Sequence, residues 1–437
     1  MRLPHPFVLL LGVVGLAAAL TWVLPAGSYQ RQTDPATGRE VVVAGTYVRV
    51  AATPVGIGAA VMAVPRGIGE AIGVIVTVLF VGGAFGLLDR TGALARLVGS
   101  LVGRTRRPRT VVVVVSIVFV ILGALEGMYE EIVALVPVLV VLSAGLGFGP
   151  VTALAMSIGA AVVGASFGPT NPFATGIALR FAGLPPLTMP ALRFGILVVA
   201  AAVWIAWTVA MAPRDPARPD AAPVATAPAT RRDLLLLAIV FVPFGPYVFG
   251  VLRHDWGFDQ LSALFLVAGF AVGLVSGWDL TTTAREFLKS MESILAAALF
   301  IGVARAITVV LTDGHIIDTI VSGLASPLGH FPGRVAALLM IPMHAIIHIP
   351  INSDSGHAVL AMPIMAPLAD LLSISRDAAV IAYQTGCMLT DGLTPTAGAL
   401  LAMLLAARVD YGRWFRCAAP GTLLVAVVGA IGVLIAA

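Results

Sequence analysis

Three carboxylates fall within six residues of an otherwise apolar stretch. Glu126-Gly-Met-Tyr-Glu-Glu131 separates TVVVVVSIVFVILGAL (110–125) from IVALVPVLVVLSAGLG (132–147). A charge at mid-bilayer costs roughly 2.5–3.5 kcal/mol on insertion scales, so an intramembrane acid is functional by default. The alternative is a short loop that carries the acids into water between two short crossing helices. Glu126, Glu130 and Glu131 share one short turn with Tyr129. Buried together, they cannot all be ionised cheaply. Protons, a metal cation or a cationic substrate group would relieve the repulsion. A second polar tip, Asn352-Ser-Asp-Ser-Gly-His357, lies between apolar runs and offers Asn352, Ser353, Asp354 and Ser355.

Two overlong apolar stretches are interrupted. Residues 150–182 are broken by GPTNPFATG (168–176), and residues 378–407 by TDGLTPTAG (390–398). Pro removes a backbone donor and Gly relaxes the chain, so a helix breaks there. Freed N–H groups attract carboxylates and freed C=O groups attract cations. Thr170, Asn171 and Thr175 at one break, and Thr390, Asp391, Thr394 and Thr396 at the other, supply oxygens suited to Na⁺. Glu131 and Asp354 complete the candidate ion ligands. The alternative for each Thr is that it re-bonds the broken backbone.

Arg305, alone within a span, either pairs with one of these acids or binds a substrate carboxylate. His344 and His348 stand at i, i+4, the spacing of helical metal ligands. No acid lies between them in an H-E-x-x-H pattern, so packing or hydrogen bonding inside the hairpin is expected instead. Met362 and Met365 read as core at helical spacing. No phosphate-binding Gly-Lys-Ser/Thr loop is present, so ATP does not drive the chain.

The elements that must position these groups follow from composition. Of 437 residues, 59% are hydrophobic and 11% charged, with a mean hydropathy of +1.01. Soluble domains carry about 25% charged residues. Apolar runs of spanning length recur from end to end, which makes an all-α polytopic membrane protein with the lipid bilayer as its main partner. The net charge of +4 is Arg in short loops and not a nucleic-acid footprint. Cys387 and Cys417 fall in or beside apolar segments, which predicts no disulfide and no thiol metal site. Arg2 followed by an apolar run to Leu24 imitates a secretory signal, but reads better as a retained first helix.

The first half (1–212) contains a span at 7–24, an extracytoplasmic loop at 26–53, and a surface-lying segment at 54–70. A span at 71–88, a basic loop at 89–109, the hairpin 110–147, the broken helix 150–182 and a span at 191–212 complete it. A Pro/Ala-rich cytoplasmic linker (213–232) follows. The second half (233–437) has spans at 233–251 and 261–275, a polar surface segment at 278–290, and a span at 294–311. A surface stretch (312–333), the hairpin 335–372, the broken helix 378–407, a basic loop (408–416) and a last span (417–436) follow. Glu70 and Glu292, Gly92 and Gly314, Pro137 and Pro363, and Pro172 and Pro395 recur at offsets of 222 to 226. A broken segment at matching places in two halves points to a transporter's binding site.

With the N-terminus inside and both hairpins re-entrant, nine crossings leave the C-terminus outside. Of 26 Lys and Arg, 16 then fall on the inside, as the positive-inside rule requires. The same orientation makes the two repeats inverted. Each hairpin arm has about sixteen apolar residues, roughly 24 Å of helix against a core of about 30 Å, so it passes the midplane and hardly crosses. Polar tips and helix breaks would meet there, inside protein or beside water.

Several motifs carry a resemblance: LTWVLPAGSYQR, VVAGTYVRV, GALEGMYEEIVALVPVL, GPTNPFATGIA, GVARAI, AMPIMAPLADLL and DGLTPTAG. Together, over essentially the whole chain, they resemble the YfcC/DcuC family of C4-dicarboxylate anaerobic carrier-like proteins, within the ion transporter superfamily. That resemblance implies two inverted repeats, each with a re-entrant hairpin and a broken helix. It also implies an elevator mechanism and a homodimer. In sodium–dicarboxylate relatives, Ser-Asn-Thr at the hairpin tips holds carboxylate and Na⁺. Here the tips read Glu-Gly-Met-Tyr-Glu-Glu and Asn-Ser-Asp-Ser-Gly, so the added acids should repel a dianion unless they hold cations. The basic amino acid antiporters of the family suit an acidic site better.

The expected function is secondary active transport of a small carboxylate-bearing solute across a bacterial-type inner membrane. The solute is a C4-dicarboxylate or an amino acid, basic amino acids included. Transport is driven by Na⁺, by H⁺ or by exchange, with no other cofactor. The substrate-binding candidates are Glu126, Tyr129, Glu130, Glu131, Asn171, Arg305 and Asn352 through Ser355. An ion channel with the Glu cluster as its selectivity element is the first rival. An intramembrane metalloenzyme using His344 and His348 is the second.

Overall fold

The computed structural model describes residues 6–33, 40–43, 45–104, 107–127, 129–185, 187–217, 228–254 and 256–437. Helix α1 (Pro6–Val23) leads into two small antiparallel sheets. In them β1 (Gly27–Ser28) pairs with β4 (Val48–Arg49), and β2 (Arg31–Thr33) with β3 (Glu40–Val42). Helices α2 (Ile57–Glu70), α3 (Ile72–Arg90) and α4 (Ala93–Arg104) follow. The first hairpin is α5 (Pro108–Glu126) and α6 (Ile132–Gly145). Next, α7 (Pro150–Leu154) runs through a π turn (Ala155–Gly159) into α8 (Ala160–Phe167). Beyond the break come a π turn (Pro172–Gly176), α9 (Ile177–Phe181) and α10 (Pro190–Met211).

The second half opens with α11 (Arg231–Phe241), α12 (Phe244–His254) and α13 (Phe258–Val275). The long α14 (Leu280–Asp313) and short α15 (Ile317–Ala325) precede the second hairpin, α16 (Gly333–Ile351) and α17 (Asp354–Leu371). Helices α18 (Arg376–Asp391) and α19 (Gly398–Ala406) flank the second break, and α20 (Tyr411–Ala436) ends the chain. Among the described residues, eight helices are long and apolar enough to cross a membrane. They are α3, α5, the α7–α8 unit, α10, α13, α14, α16 and α20, and α1 and α6 are shorter apolar helices.

Both hairpins turn on a left-handed residue. Gly127 (φ 65°) caps α5 and Asn352 (φ 40°) caps α16. Left-handed residues recur at other equivalent places: Gly92 and His315, Gly147 and Ser373, Gly183 and Arg408. Every one of these four pairs is separated by 223 to 226 residues. Close packing recurs in the same way. A Cβ on Gly164 of α8 would stand 2.1 Å from the Val120 carbonyl oxygen of α5. A Cβ on Gly386 of α18 would stand 2.1 Å from the Ile341 carbonyl oxygen of α16. Each hairpin's first arm thus lies backbone-to-backbone on the helix that breaks, which is how small residues act between membrane helices.

Several expectations need correction. The polar segment 278–290 and the span 294–311 are one helix of 34 residues, α14. Asp279 caps its start by accepting from the Thr282 N–H (2.7 Å), and no Pro or Gly stops it before Gly302. The expected span 233–251 is interrupted between α11 and α12, where Pro243 sits. Residues 57–70 do not simply lie on a surface. Gly67 meets the α14 backbone at Ala306 and Gly302, so α2 packs tightly along α14. The basic loop 89–109 contains α4, and the basic loop 408–416 runs into α20. The loop 26–53 carries the four strands, held to α15 where Arg31 pairs with Asp318 (2.9 Å). The arms are unequal: α5 and α16 have 19 residues each, α17 has 18 and α6 has 14, so the first arms reach about 28 Å of helix and α6 only about 21 Å. Of the linker 213–232, residues 218–227 lie outside the described residues, as does Arg2.

At the far end of that linker, Asp233 is almost wholly buried. It accepts from Arg96 Nε (3.0 Å) and Nη2 (2.7 Å) and from the Thr230 N–H (2.8 Å). The guanidinium of Arg96, first, and the Thr230 bonds hold its carboxyl well below the usual carboxylate range, against its desolvation. A depressed folded pKa contributes stability that is present above the unfolded value of about 3.9 and fades as pH falls through the folded one. Asp233→Asn should therefore cost about 1–3 kcal/mol at pH 7. The deficit against wild type should shrink as pH is lowered from about 5 to 3, read by thermal unfolding of the detergent-solubilised protein.

Candidate functional site

The two tips and the two breaks converge. A cavity of about 420 Å³ is bounded by Gly127, Tyr129, Glu130 and Glu131 of the first tip and Asn171 of the first break. Asn352 through Ser355 of the second tip and Asp391 of the second break close it from the other half. Glu70 at the end of α2, and Arg305 and Thr308 of α14, line it too. This size is typical of a small-molecule site. Among the described residues, five of the lining side chains are carboxylates (Glu70, Glu130, Glu131, Asp354, Asp391) against one guanidinium, Arg305. The backbone of Glu126 ends α5 next to the cavity, but its side chain lies outside the described residues.

Hydrogen bonds lock the elements to one another. Asp391 Oδ1 accepts from Asn352 Nδ2 (2.8 Å) and faces His348 Nε2 at 2.9 Å. The Tyr129 hydroxyl donates to the Asp391 carbonyl oxygen (3.0 Å), which ties the first tip to the second break. The Tyr383 hydroxyl donates to the Asp354 carbonyl oxygen (2.7 Å), which ties the second tip to α18. Ser353 caps α17 by accepting from the Gly356 N–H (3.3 Å), and Glu131 Oε2 accepts from the Tyr129 N–H (3.2 Å).

The threonines stand one layer back. Thr170 donates to the Ala124 carbonyl (3.3 Å), Thr175 to Gly168 (2.8 Å), Thr390 to Gly386 (2.7 Å) and Thr396 to Ile349 (2.6 Å). Thr394 and Thr396 share a hydrogen bond of 2.7 Å. None of these five borders the cavity. Thr175 bonds across its own break and Thr390 along α18, whereas Thr170 and Thr396 tie each break to the first arm of its hairpin, which is how Ser and Thr re-satisfy backbone where membrane helices are interrupted. Asn171 does both jobs. It borders the cavity, and its side chain donates to the Ala165 carbonyl (3.2 Å) and accepts from the Ala174 N–H (3.2 Å).

Arg305 is paired, and among the described residues its partner is not a tip acid. Its Nε lies 3.2 Å from Glu70 Oε2, and both groups are partly exposed to the cavity (36% and 46%). Of the two expectations for Arg305, pairing with Glu130, Glu131 or Asp354 is corrected, since α2 packs beside α14 and brings Glu70 nearer; the Glu126 side chain lies outside the described residues. His344 and His348 are joined by two residues that sequence alone does not group with them. His344 Nδ1 is 2.9 Å from His357 Nε2, His348 Nδ1 is 3.3 Å from His357 Nδ1, and Cys387 Sγ is 3.0 Å from His348 Nδ1. One signal was present. His348 and His357 are equally spaced on either side of the turn between Asn352 and Ser353, so folding the hairpin apposes them.

The C4-dicarboxylate anaerobic carrier (DcuC) family profile matches residues 3–437. An uncharacterised protein of Haemophilus influenzae is 29% identical over 476 residues, covering 95% of this chain and 93% of that one. The Escherichia coli protein named, provisionally, basic amino acid antiporter YfcC is 28% identical over 377 residues, covering 80% and 74%. The solved structure of the YdaH transporter of Alcanivorax borkumensis overlays with a TM-score of 0.45 at 19% identity, covering 99% of this chain and 98% of that one.

Proposed function

Because the chain belongs to the C4-dicarboxylate anaerobic carrier family, we propose that its central cavity carries a small carboxylate-bearing solute by secondary active transport. A family of carriers and eight helices of spanning length make the chain a multi-pass membrane transporter and not an enzyme. The observation that carries the finer reading is the lining of the cavity: both tips and both breaks, with five carboxylates and one guanidinium. Arg305 receives the solute carboxylate. The surplus of acids favours a solute that also bears positive charge, so a basic amino acid fits better than a C4-dicarboxylate dianion. The provisional name of the Escherichia coli relative points the same way. A gradient of Na⁺ or H⁺, or exchange against a second solute, supplies the drive.

The left-handed residues and the Gly164/Gly386 contacts that recur through both halves support reading the chain as two repeats. The excess of Lys and Arg on one side supports an inverted relation between them, with the N-terminus inside and the C-terminus outside. On that reading the hairpins re-enter from opposite faces and the transport unit moves as an elevator in the inner membrane.

Uptake into proteoliposomes of lysine, arginine, aspartate and succinate, under imposed Na⁺ and pH gradients or with internal counter-solute, tests this. Saturable flux of at least one, dependent on gradient or exchange, is expected. Unitary currents, or no flux of any of the four, would contradict it. Within that assay Arg305→Gln should raise the KM for the transported solute at least tenfold, the loss of one charge-assisted contact. Glu70→Gln, which releases Arg305 from its partner, should lower it.

A further inference from the structure

Behind Asp354 and Asp391, away from the cavity, four side chains from three helices form a sealed cluster. His344 and His348 of α16, His357 of α17 and Cys387 of α18 are all fully buried. We infer that His348, His357 and Cys387 form a transition-metal site, suited to Zn²⁺, that joins both arms of the second hairpin to the second broken helix.

The donor atoms stand where such an ion requires them. One donor atom from each of His348, His357 and Cys387 lies within 4.8 Å of the other two, and His348 Nδ1 makes the short contacts to both of its neighbours. Tetrahedral Zn²⁺, with bonds of about 2.0–2.1 Å to nitrogen and about 2.3 Å to sulfur, sets N···N edges of about 3.3 Å and N···S edges of about 3.6 Å. The two Nδ1 atoms are 3.3 Å apart. Cys387 Sγ is 3.0 Å from His348 Nδ1, a thiol hydrogen bond that opens by about 0.5 Å when the thiol gives up its proton to bind the metal. Two ring nitrogens facing each other hold one proton between them, and a metal ion takes that proton's place.

The outer shell fits as well. A ligating imidazole almost always gives its other N–H to a carboxylate, carbonyl or similar acceptor. His348 Nε2 lies 2.9 Å from Asp391 Oδ1, and His357 Nε2 lies 2.9 Å from His344 Nδ1. With both ligand nitrogens bare, both Nε2 atoms carry protons and both have acceptors. His344 Nε2, the far end of this chain, is buried without a hydrogen-bond partner among the described residues. Asp354 Oδ1 lies 3.6 Å from Cys387 Sγ, and its side chain is 27% exposed where it borders the cavity. It stands between the cavity and Cys387 and so marks the route by which an ion would reach the cluster.

The alternative donor set is His348 Nε2 with Asp354 and Asp391. That set uses the Nε2 that faces Asp391 Oδ1 at 2.9 Å and offers one imidazole and two carboxylates, whereas the Nδ1 side brings a second imidazole and a thiol. A thiolate and two imidazoles select Zn²⁺ over Na⁺, Mg²⁺ or Ca²⁺. The expectation of no thiol metal site rested on the cysteines' apolar neighbours in sequence, which do not reveal that two histidines from a folded hairpin meet Cys387.

The test uses the full chain, purified in detergent and treated with chelator. Zn²⁺ titrated against a competing chromophoric chelator should bind at one equivalent. Co²⁺ should give a thiolate-to-metal charge-transfer band and tetrahedral visible bands. Cys387→Ser should weaken Zn²⁺ binding at least tenfold and remove the charge-transfer band, whereas Cys417→Ser should change neither. Wild-type protein that gives a Co²⁺ spectrum without a thiolate band would overturn the proposal without reference to any variant. So would the absence of stoichiometric Zn²⁺ binding, which would leave a shared proton as the cluster's only cation, or unchanged affinity in Cys387→Ser.

Discussion

Asp391→Ala should reduce solute flux about a hundredfold while the protein still inserts and folds. Asp391 is where the two halves of the site are tied. Its side chain meets Asn352 of the second tip and His348 of α16, and its carbonyl meets Tyr129 of the first tip. Alanine keeps the carbonyl bond and removes the other two. Each buried polar group left without a partner costs about 1–3 kcal/mol. Two such losses bear on the geometry of the tip, and each 1.4 kcal/mol is about a factor of ten. Tyr129→Phe removes a single neutral hydrogen bond, worth about 1 kcal/mol, and should slow flux only several-fold. Initial uptake rates in proteoliposomes, normalised to inserted protein, separate the two. Equal rates in Asp391→Ala and wild type would remove Asp391 from the site.

Gly386→Leu should abolish recovery of folded protein, and Gly386→Ala should lower stability by about 3 kcal/mol. The reason is backbone contact. A methyl group at Gly386 would meet the Ile341 carbonyl oxygen at 2.1 Å and His344 Cβ at 2.9 Å, so α16 must move off α18 to make room. That displacement carries the tip, the histidine cluster and Asn352 with it. Gly164→Ala, against Val120 of α5, should behave alike. A methyl group at Gly323 of α15 would meet nothing within 4 Å, so Gly323→Ala should be neutral or slightly stabilising. Thermal unfolding in detergent ranks the variants. An unaffected Gly386→Ala would show that hairpin and broken helix are not in backbone contact.

What could be read in the chain, and what could not, has a physical division. Polar tips inside apolar runs and Pro/Gly interruptions are local insults to a membrane helix. Both hairpins and both breaks were therefore legible, and residues at all four places do line one cavity. Helix boundaries outside the lipid were not. Residues 280–293 are polar, and polarity reads as an end, yet nothing in them forbids a helix and α14 runs through. The short strands between 27 and 49 hang on pairings that no periodicity announces. Partners far apart in sequence were likewise invisible. Arg305 meets Glu70, and the buried Arg193 meets Asp377 Oδ1 and Gln384 Oε1 (both 2.8 Å). The threonines at the breaks illustrate a different limit. Composition marks an oxygen-rich place, but only the directions of the hydroxyls tell those spent on the backbone from those turned to the cavity.

The account depends on the tips and breaks of both halves enclosing one solute-filled cavity within the membrane. Ser355 borders it, so a single cysteine there, with Cys387 and Cys417 replaced by Ser, reports on it directly. Its reaction with a membrane-impermeant maleimide should be slowed at least tenfold by saturating lysine, arginine, aspartate or succinate, whichever the carrier takes up. Rapid labelling at a rate indifferent to all four would mean that the tip stands in bulk water and encloses nothing.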